Sequence, residues 1–254
     1  MKGTASCIVL LLLIVTTVCS AGLPQIASFT ATVELDGKLV MPVDVYLPPT
    51  HKSAPVVLLA HGFTQNKRYH ANQGRQLAAA GYVVLVPSLQ RFADHPGHAR
   101  DLISLLDWVT RQNTDISSRL FGRANASRAA ACGHSAGGLS ALLAAAADKR
   151  FRALVLLDAV DSNGLGAKAA AKIAIPSLSV CAEPSAWNAN GSPEKLAAAL
   201  PQPKQLVKIA GANHLEAQDP ANKLGEPVLG RVNPQRQQRF TSEMVHWISQ
   251  HLPE

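Results

Sequence analysis

Short apolar runs alternate along the chain with longer stretches in which apolar residues recur at helical spacing. The first two runs, 29–35 and 40–47, are separated by Asp36-Gly37 and predict a β-hairpin. Later runs predict six further strands, at residues 55–60, 82–86, 128–132, 153–157, 177–181 and 205–209. The stretches with helical spacing predict five helices, at residues 71–80, 99–111, 135–147, 193–200 and 237–251.

The order of these elements indicates the fold class. A hairpin followed by strand–helix alternation predicts an α/β fold, in which a mostly parallel eight-stranded sheet carries helices on both faces. No linker, internal repeat or change of composition marks a boundary, so residues 22–254 are predicted to form a single domain.

The N-terminus has the pattern of a secretory signal peptide, which we place at residues 1–21. Lys2 gives a positive start, residues 8–18 are apolar apart from threonine, and the small residues Ser20, Ala21 and Gly22 follow. This run is shorter than the roughly 20 residues that a membrane-spanning helix needs. The pattern therefore predicts a secreted or periplasmic protein with no stable membrane span.

Composition and charge exclude several classes of function. Of the 254 residues, 47% are hydrophobic and 16% are charged, which is typical of a globular protein with a core. The formal charge of +7 comes from scattered residues without a Lys/Arg block, which argues against a nucleic-acid partner. No phosphate-binding glycine loop is present and His95-Pro-Gly-His98 has no evident third ligand, so we predict no cofactor and no metal.

The stretch Gly133-His134-Ser135-Ala136-Gly137 follows an apolar strand and precedes an Ala/Leu-rich helix. A Gly-x-Ser-x-Gly sequence in this position is the pattern of a nucleophile elbow, in which the serine occupies a strained turn. Glycine is needed on both sides because side chains there would collide with the neighbouring strand and helix. Ser135 is therefore the candidate nucleophile, and the backbone N–H of Ala136 is a candidate donor to the oxyanion.

The other groups of such a site are expected at the carboxyl ends of other strands. His214 follows the eighth strand, whereas His246 and His251 lie within or at the end of the last helix, so His214 is the candidate base. The His-Gly turn after the third strand leaves Phe63 to offer the second oxyanion N–H. With a histidine base, activity is expected to rise with pH as the imidazole loses its proton.

Three carboxylates at the same edge compete for the role of triad acid. Asp158 ends the sixth strand, Asp161 follows three residues later, and Glu183 follows the seventh strand. A carboxylate at a strand end has a fixed position, as orienting an imidazole requires, which favours Asp158. Asp161 also fits a turn-forming role in Asp-Ser-Asn-Gly, which leaves Glu183 as the main rival.

These motifs resemble the α/β-hydrolase superfamily over essentially the whole mature chain, and in particular the branch with chlorophyllases, platelet-activating-factor acetylhydrolases and cutinase-type polyester hydrolases. The similar stretches are VVLLAHGFTQNKRYHANQGRQLAAAGYVVLVPSL, GHSAGG and RFRALVLLDAVD. In chlorophyllases and acetylhydrolases the catalytic Asp ends the sixth strand, so the resemblance implies Asp158, although most α/β-hydrolases carry the acid one strand later. Chlorophyllase elbows usually carry a large basic residue where Ala136 stands, which argues against chlorophyll as the substrate.

The resemblance implies a secreted carboxylic-ester hydrolase, a serine esterase of chlorophyllase or lipase type, that uses Ser135, His214 and Asp158 and forms an acyl-enzyme. Its substrate is expected to be a small-molecule or lipid-like ester, and the short segment between residues 158 and 177 predicts no large lid. Trp187, on the loop after the seventh strand, is a candidate substrate contact. The alternative interpretations are hydrolysis of another acyl bond (a phospholipid acetyl ester, polyester, thioester or amide) and a non-catalytic binding protein of the same fold.

Removal of the leader leaves two cysteines, Cys132 and Cys181. In this fold the sixth strand lies between the two strands that these residues end. Two strand spacings of about 4.8 Å each exceed the roughly 7 Å between Cα atoms that a disulfide tolerates. We therefore predict two free, buried thiols.

Overall fold

The protein is built around one sheet, which we describe from a computed structural model for residues 25–35, 39–50 and 53–253. The strands of these residues follow the order β1-β2-β4-β3-β5-β6-β7-β8. The pairs β1–β2 and β2–β4 are antiparallel, and the other pairs are parallel. The bounds are Ala27–Leu35 (β1), Leu39–Leu47 (β2), Ala54–Ala60 (β3), Val83–Pro87 (β4), Ala124–His134 (β5), Phe151–Leu157 (β6), Ser177–Cys181 (β7) and Lys204–Lys208 (β8). The predicted α/β class, with a mostly parallel eight-stranded sheet, is confirmed.

Helices cover both faces of this sheet, as its continuous apolar strands require. Alternate residues of β3 show the division: Val56 contributes to the apolar cluster under α2 and α3, and Val57 to the cluster under α1 and α7. The last helix buries Met244, Trp247 and Ile248 in the second cluster. The helix bounds are Ala71–Ala79 (α1), His95–Thr114 (α2), Ala136–Ala147 (α3), Leu165–Ala170 (α4), Ser192–Ala199 (α5), Glu226–Leu229 (α6) and Pro234–His251 (α7).

Local capping explains where the structure departs from the predicted bounds. α2 begins at His95 rather than at residue 99 because the Asp94 side chain accepts the N–H of Gly97 at 2.8 Å and caps the helix. The short helix α4 was not predicted, and the Asp161 carboxylate accepts the N–H groups of Gly166 and Ala167 at its start. Caps of this kind come from side chains whose role depends on the folded loop.

Four further predictions concern the signal peptide, the hairpin turn, membrane spans and the two cysteines. The proposed signal peptide, residues 1–21, and the Asp36-Gly37 turn lie outside the described residues. Within the described part of the chain, no helix has the length and apolar character to cross a membrane. Cys132 and Cys181 are free and buried on β5 and β7, with β6 between them, as predicted.

Candidate active site

The carboxyl ends of the parallel strands bring the predicted site residues to one edge of the sheet. Ser135 directly follows β5, Asp158 directly follows β6, and His214 lies beyond β8. The turn that begins at His61 follows β3 at the same edge. In open α/β sheets this edge is where ligands bind, so the position of these groups is functionally informative.

Ser135 lies in a strained turn between β5 and α3. Its backbone has φ 55° and ψ −125°, which a residue with a side chain rarely adopts. The flanking glycines make the turn possible, since a Cβ at Gly137 would lie 2.3 Å from the His61 carbonyl oxygen. A Cβ at Gly133 would lie at the same distance from the Gly137 carbonyl oxygen. The strained serine therefore stands at the start of α3, whose N-terminus favours negative charge.

His214 and Asp158 form a close contact between titratable side chains at this edge. The Nδ1 atom of His214 lies 2.6 Å from Oδ2 of Asp158, and both residues are buried. The other carboxylate oxygen of Asp158 accepts the backbone N–H of Ala182 at 2.9 Å. Because Nδ1 donates to the carboxylate, Nε2 of the neutral imidazole carries the lone pair that can accept a proton.

The two rival carboxylates are engaged elsewhere. Glu183 accepts the backbone N–H of Gly211 through Oε1 at 3.0 Å. Asp161 accepts the N–H groups at the start of α4 and so has the local structural role that its sequence context allowed. Of the three candidates, Asp158 is the one that the structure pairs with His214.

An ion pair with a buried carboxylate, which sequence analysis missed, holds the segment that carries His214. His214 begins a 3₁₀ turn, His214–Ala217, in which Glu216 is fully buried. The Glu216 carboxylate accepts Nε and Nη2 of Arg236 in α7, both at 2.8 Å. It also accepts the backbone N–H groups of Asn213 and Asn233. The spacing Asn-x-x-Glu is a capping-box pattern, so the sequence carried a signal for this turn.

The His61-Gly62 turn fixes the peptide that offers the second candidate oxyanion donor. The carbonyl of Gly62 accepts Nδ1–H of His61 at 2.8 Å and the backbone N–H of Gln65 at 3.2 Å. In a trans peptide the C=O and the following N–H point in opposite directions, so the N–H of Phe63 points away from both donors. A Cβ at Gly62 would lie 3.2 Å from the Cβ of Ser135, which places this turn directly against the candidate nucleophile.

His134 packs against the candidate base, another contact that the sequence did not reveal. Its ring centroid lies 4.5 Å from that of His214, and its Nε2 donates to the His214 carbonyl at 3.1 Å. The side chain of Gln218 approaches its Nδ1 at 3.4 Å. Burial, together with the neighbouring histidines, holds the pKa of His134 well below its usual range. His134 therefore stays neutral beside the candidate base.

Buried histidines also make the stability of the protein depend on pH. Burial lowers the pKa of His61 and of His70 to about 4. Because an unfolded histidine titrates near 6.5, the unfolded chain binds more protons between these values, and stability is lost as pH falls from about 6.5 towards 4. Urea unfolding should show a loss of roughly 4 kcal/mol between pH 7 and pH 5 from these two groups together. His70→Gln should flatten the decline, and a free energy of unfolding that is constant over this range would contradict the prediction.

A cavity of about 160 Å³ opens beside the oxyanion turn. Gly62, Phe63, Ala136 and Gly137 are among its lining residues, and the exposed ring of Phe92, which also lines it, lies 5.2 Å from the ring of Phe63. Trp187 is about half exposed on a separate 3₁₀ turn, Ala186–Asn188, in the loop after β7. In the described residues, no cluster of His, Cys, Asp or Glu suits a metal ion.

The fold of the described residues is that of an α/β-hydrolase. The chain belongs to the PET hydrolase-like family, whose model matches residues 41–241. It is 27% identical over 203 residues to cutinase est2 of Thermobifida alba, and 29% identical over 140 residues to cutinase est1 of the same organism. These matches cover 78% and 55% of this chain, and 64% and 45% of the two relatives, so the chain spans less than two thirds of the relatives that it matches. The predicted place in the α/β-hydrolase superfamily, in the branch that includes cutinase-type polyester hydrolases, is confirmed.

Proposed function

We propose that the protein hydrolyses carboxylic esters through an acyl-enzyme on Ser135. The observation that carries the proposal is the 2.6 Å contact between His214 and Asp158 at the sheet edge that also holds the strained Ser135. Serine is a weak nucleophile until a base takes its proton, and an imidazole oriented by a carboxylate is such a base.

In the first half of the reaction, Nε2 of His214 takes the proton of Ser135 while Oγ attacks the ester carbonyl carbon. The negative charge moves to the carbonyl oxygen, where the N–H groups of Phe63 and Ala136 stabilise it. The bond to the leaving alcohol then breaks, and the alcohol departs with the proton from His214. Asp158 holds the imidazole in the tautomer with Nδ1 protonated and stabilises the imidazolium that forms.

In the second half, water replaces the alcohol. His214 takes a proton from the water molecule, the hydroxide attacks the acyl carbon, and the same two N–H groups stabilise the second oxyanion. The acyl–Ser135 bond breaks, Ser135 regains its proton from His214, and a carboxylic acid leaves. The neutral His134 beside His214 adds no like charge to oppose the imidazolium in either half.

The proposed substrate is a large or surface-bound ester, such as a polyester chain, which a site without a large lid can admit. The leaving alcohol must lie beside His214, so the acyl group is directed towards the cavity bounded by Phe63 and Ala136. The exposed rings of Phe63, Phe92 and Trp187 offer apolar contacts to a large or surface-bound ester. Membership of a PET hydrolase-like family and similarity to two cutinases support this substrate class.

The location and the domain organisation belong to the same proposal. A secreted or periplasmic enzyme, produced by removal of residues 1–21 and folded as one domain from residue 22, would meet extracellular esters directly. The pattern of the first 22 residues and the single sheet of the described residues support this interpretation.

A panel of substrates tests the activity. We expect hydrolysis of p-nitrophenyl acetate and butyrate and release of acid from an amorphous polyester film. The matched p-nitroanilide of butyric acid, whose amide bond is harder to break, should react far more slowly. Chlorophyll should remain intact, because the elbow has the small Ala136. Cleavage of the anilide or of a thioester without cleavage of the esters would contradict the proposed substrate class.

A further inference from the structure

Asn188 is a fully buried amide in the loop after β7, and it touches the candidate triad acid. Its Nδ2 lies 3.3 Å from Oδ1 and 3.2 Å from Oδ2 of Asp158, and 2.9 Å from the carbonyl oxygen of Glu183. Its Oδ1 accepts the backbone N–H groups of Ser185 and Gly191, at 2.8 and 3.4 Å. The partners on both sides fix which amide atom is nitrogen, because one side offers only acceptors and the other only donors.

The amide has two N–H groups, and both are used. One reaches the Glu183 carbonyl, and the other points between the two oxygens of Asp158. Asp158 has no exposed surface, so its charge must be stabilised by hydrogen bonds alone. Those bonds come from Ala182, His214 and Asn188. Without Asn188, the carboxylate would lose the side-chain donor that bridges its two oxygens.

We propose that Asn188 is a positioning residue for Asp158, an inference that rests on the proposed function. It holds the ionised carboxylate so that Oδ2 faces Nδ1 of His214. It is also the last residue of the 3₁₀ turn that carries Trp187, so the same amide ties the loop beside the site to the triad acid. It touches neither the substrate nor the reacting atoms, and it acts through Asp158.

The substitution Asn188→Asp separates this role from a merely structural one. It keeps the size of the side chain but places a second carboxylate about 3 Å from the first, and two such groups share one proton. With one shared proton the pair carries the single negative charge that Asp158 has in the wild type, and loss of that proton at higher pH adds a second negative charge, which stabilises the imidazolium of His214. The acid limb of the pH profile should therefore move to higher pH.

Two buried titratable groups near this position, Cys181 and His134, do not change charge in the same range. Burial, with Asp158 nearby, raises the pKa of Cys181 to about 12. The pKa of His134, which packs on the far side of His214, is held well below its usual range. A displaced acid limb in the variant therefore reports the carboxylate pair and His214.

The experiment compares kcat/KM for p-nitrophenyl butyrate from pH 5 to 9 in the wild type, Asn188→Asp and Asn190→Asp. The control makes the same change in the same loop, but Asn190 is exposed, so the new charge stays in water. Asn188→Asp should lower kcat/KM about tenfold or more at pH 7 and move the acid limb up by about one pH unit or more. Asn190→Asp should follow the wild type within about twofold, since isolated surface charges have small effects.

Two outcomes would overturn the inference. One is an acid limb in Asn188→Asp at the wild-type pH, even with a uniformly lower rate, because that pattern reports only a structural defect. The other applies if Asn188→Asp does not fold: Asn188→Ala would then have to lower kcat with KM nearly unchanged, and a wild-type kcat would contradict the role. An inactive wild type would instead refute the proposed function and is recognised before any variant is measured.

Discussion

Ser135→Ala is expected to abolish ester hydrolysis, with a fall in kcat on the order of 10⁵-fold for p-nitrophenyl butyrate. The hydroxyl is the atom that forms the acyl bond in the proposed mechanism, and alanine leaves only the oxyanion donors and substrate binding to act. Alanine carries a Cβ as serine does, so the positive φ at this position is no more strained and the fold should survive. The measurement is kcat under saturating substrate, with the thermal unfolding midpoint as the test of folding.

Ser179→Ala is the matched control for that variant. Ser179 lies in β7, two strands from β5, and is buried like Ser135. Its hydroxyl makes no hydrogen bond within the described part of the chain. Its removal should leave kcat within about twofold, because buried hydroxyls without partners contribute little. If Ser135→Ala kept more than a few per cent of wild-type activity, another residue would have to be the nucleophile.

Asp158→Asn should lower kcat on the order of 10⁴-fold while the structure stays intact. The amide has nearly the shape of the carboxylate, but it can donate to Nδ1 of His214. Nδ1 then becomes the acceptor, Nε2 carries the hydrogen, and the imidazole can no longer take the proton of Ser135. Activity should recover little at higher pH, because the defect is the tautomer and not the protonation state.

Glu183→Gln is the comparison that decides which carboxylate is the triad acid. Its carboxylate accepts one backbone N–H, from Gly211, and a glutamine oxygen can accept the same bond. We expect kcat within about threefold of the wild type, as for most substitutions at exposed positions away from the chemistry. A severe loss in Glu183→Gln with an active Asp158→Asn would reverse the assignment.

The sequence predicted the parts of the site that depend on strand ends. In a parallel sheet the carboxyl ends of the strands lie at one edge. The predicted strands β3, β5, β6 and β8 were therefore enough to place Phe63, Ser135, Asp158 and His214 at that edge. The choice of Asp158 over Glu183 came mainly from the resemblance, since both residues follow strands. The folded loops then separate them, because Asp158 turns to His214 while Glu183 turns to Gly211.

The residues that support the site, Asn188 and His134, could not be predicted from the sequence, for a physical reason. Asn188 contacts a carboxylate 30 positions earlier, and His134 contacts a carbonyl 80 positions later. Both contacts depend on how loops pack, and no periodicity records that packing. The role of Glu216 could have been predicted more easily, because Asn213 and Glu216 have the spacing of a capping box and the turn they form is local.

The predicted bounds of some strands were also wrong. β5 begins at Ala124, four residues before the predicted start, and its pairing with β3 is irregular after Pro55. Residues 124–127 are only partly apolar, so the pattern did not mark them as strand. The buried middle of β3, β4, β6 and β7 was predicted correctly, because burial on both faces leaves a continuous apolar run.

The central claim is that Ser135 is an activated nucleophile, and labelling with a fluorophosphonate tests it most directly. Intact-mass spectrometry of the wild type should show one phosphonyl group per chain, and peptide mapping should place it on Ser135. Ser135→Ala should take up none, and Asp158→Asn should be labelled far more slowly than the wild type. A wild-type protein that hydrolyses esters but carries no label, or carries it on another residue, would contradict the account.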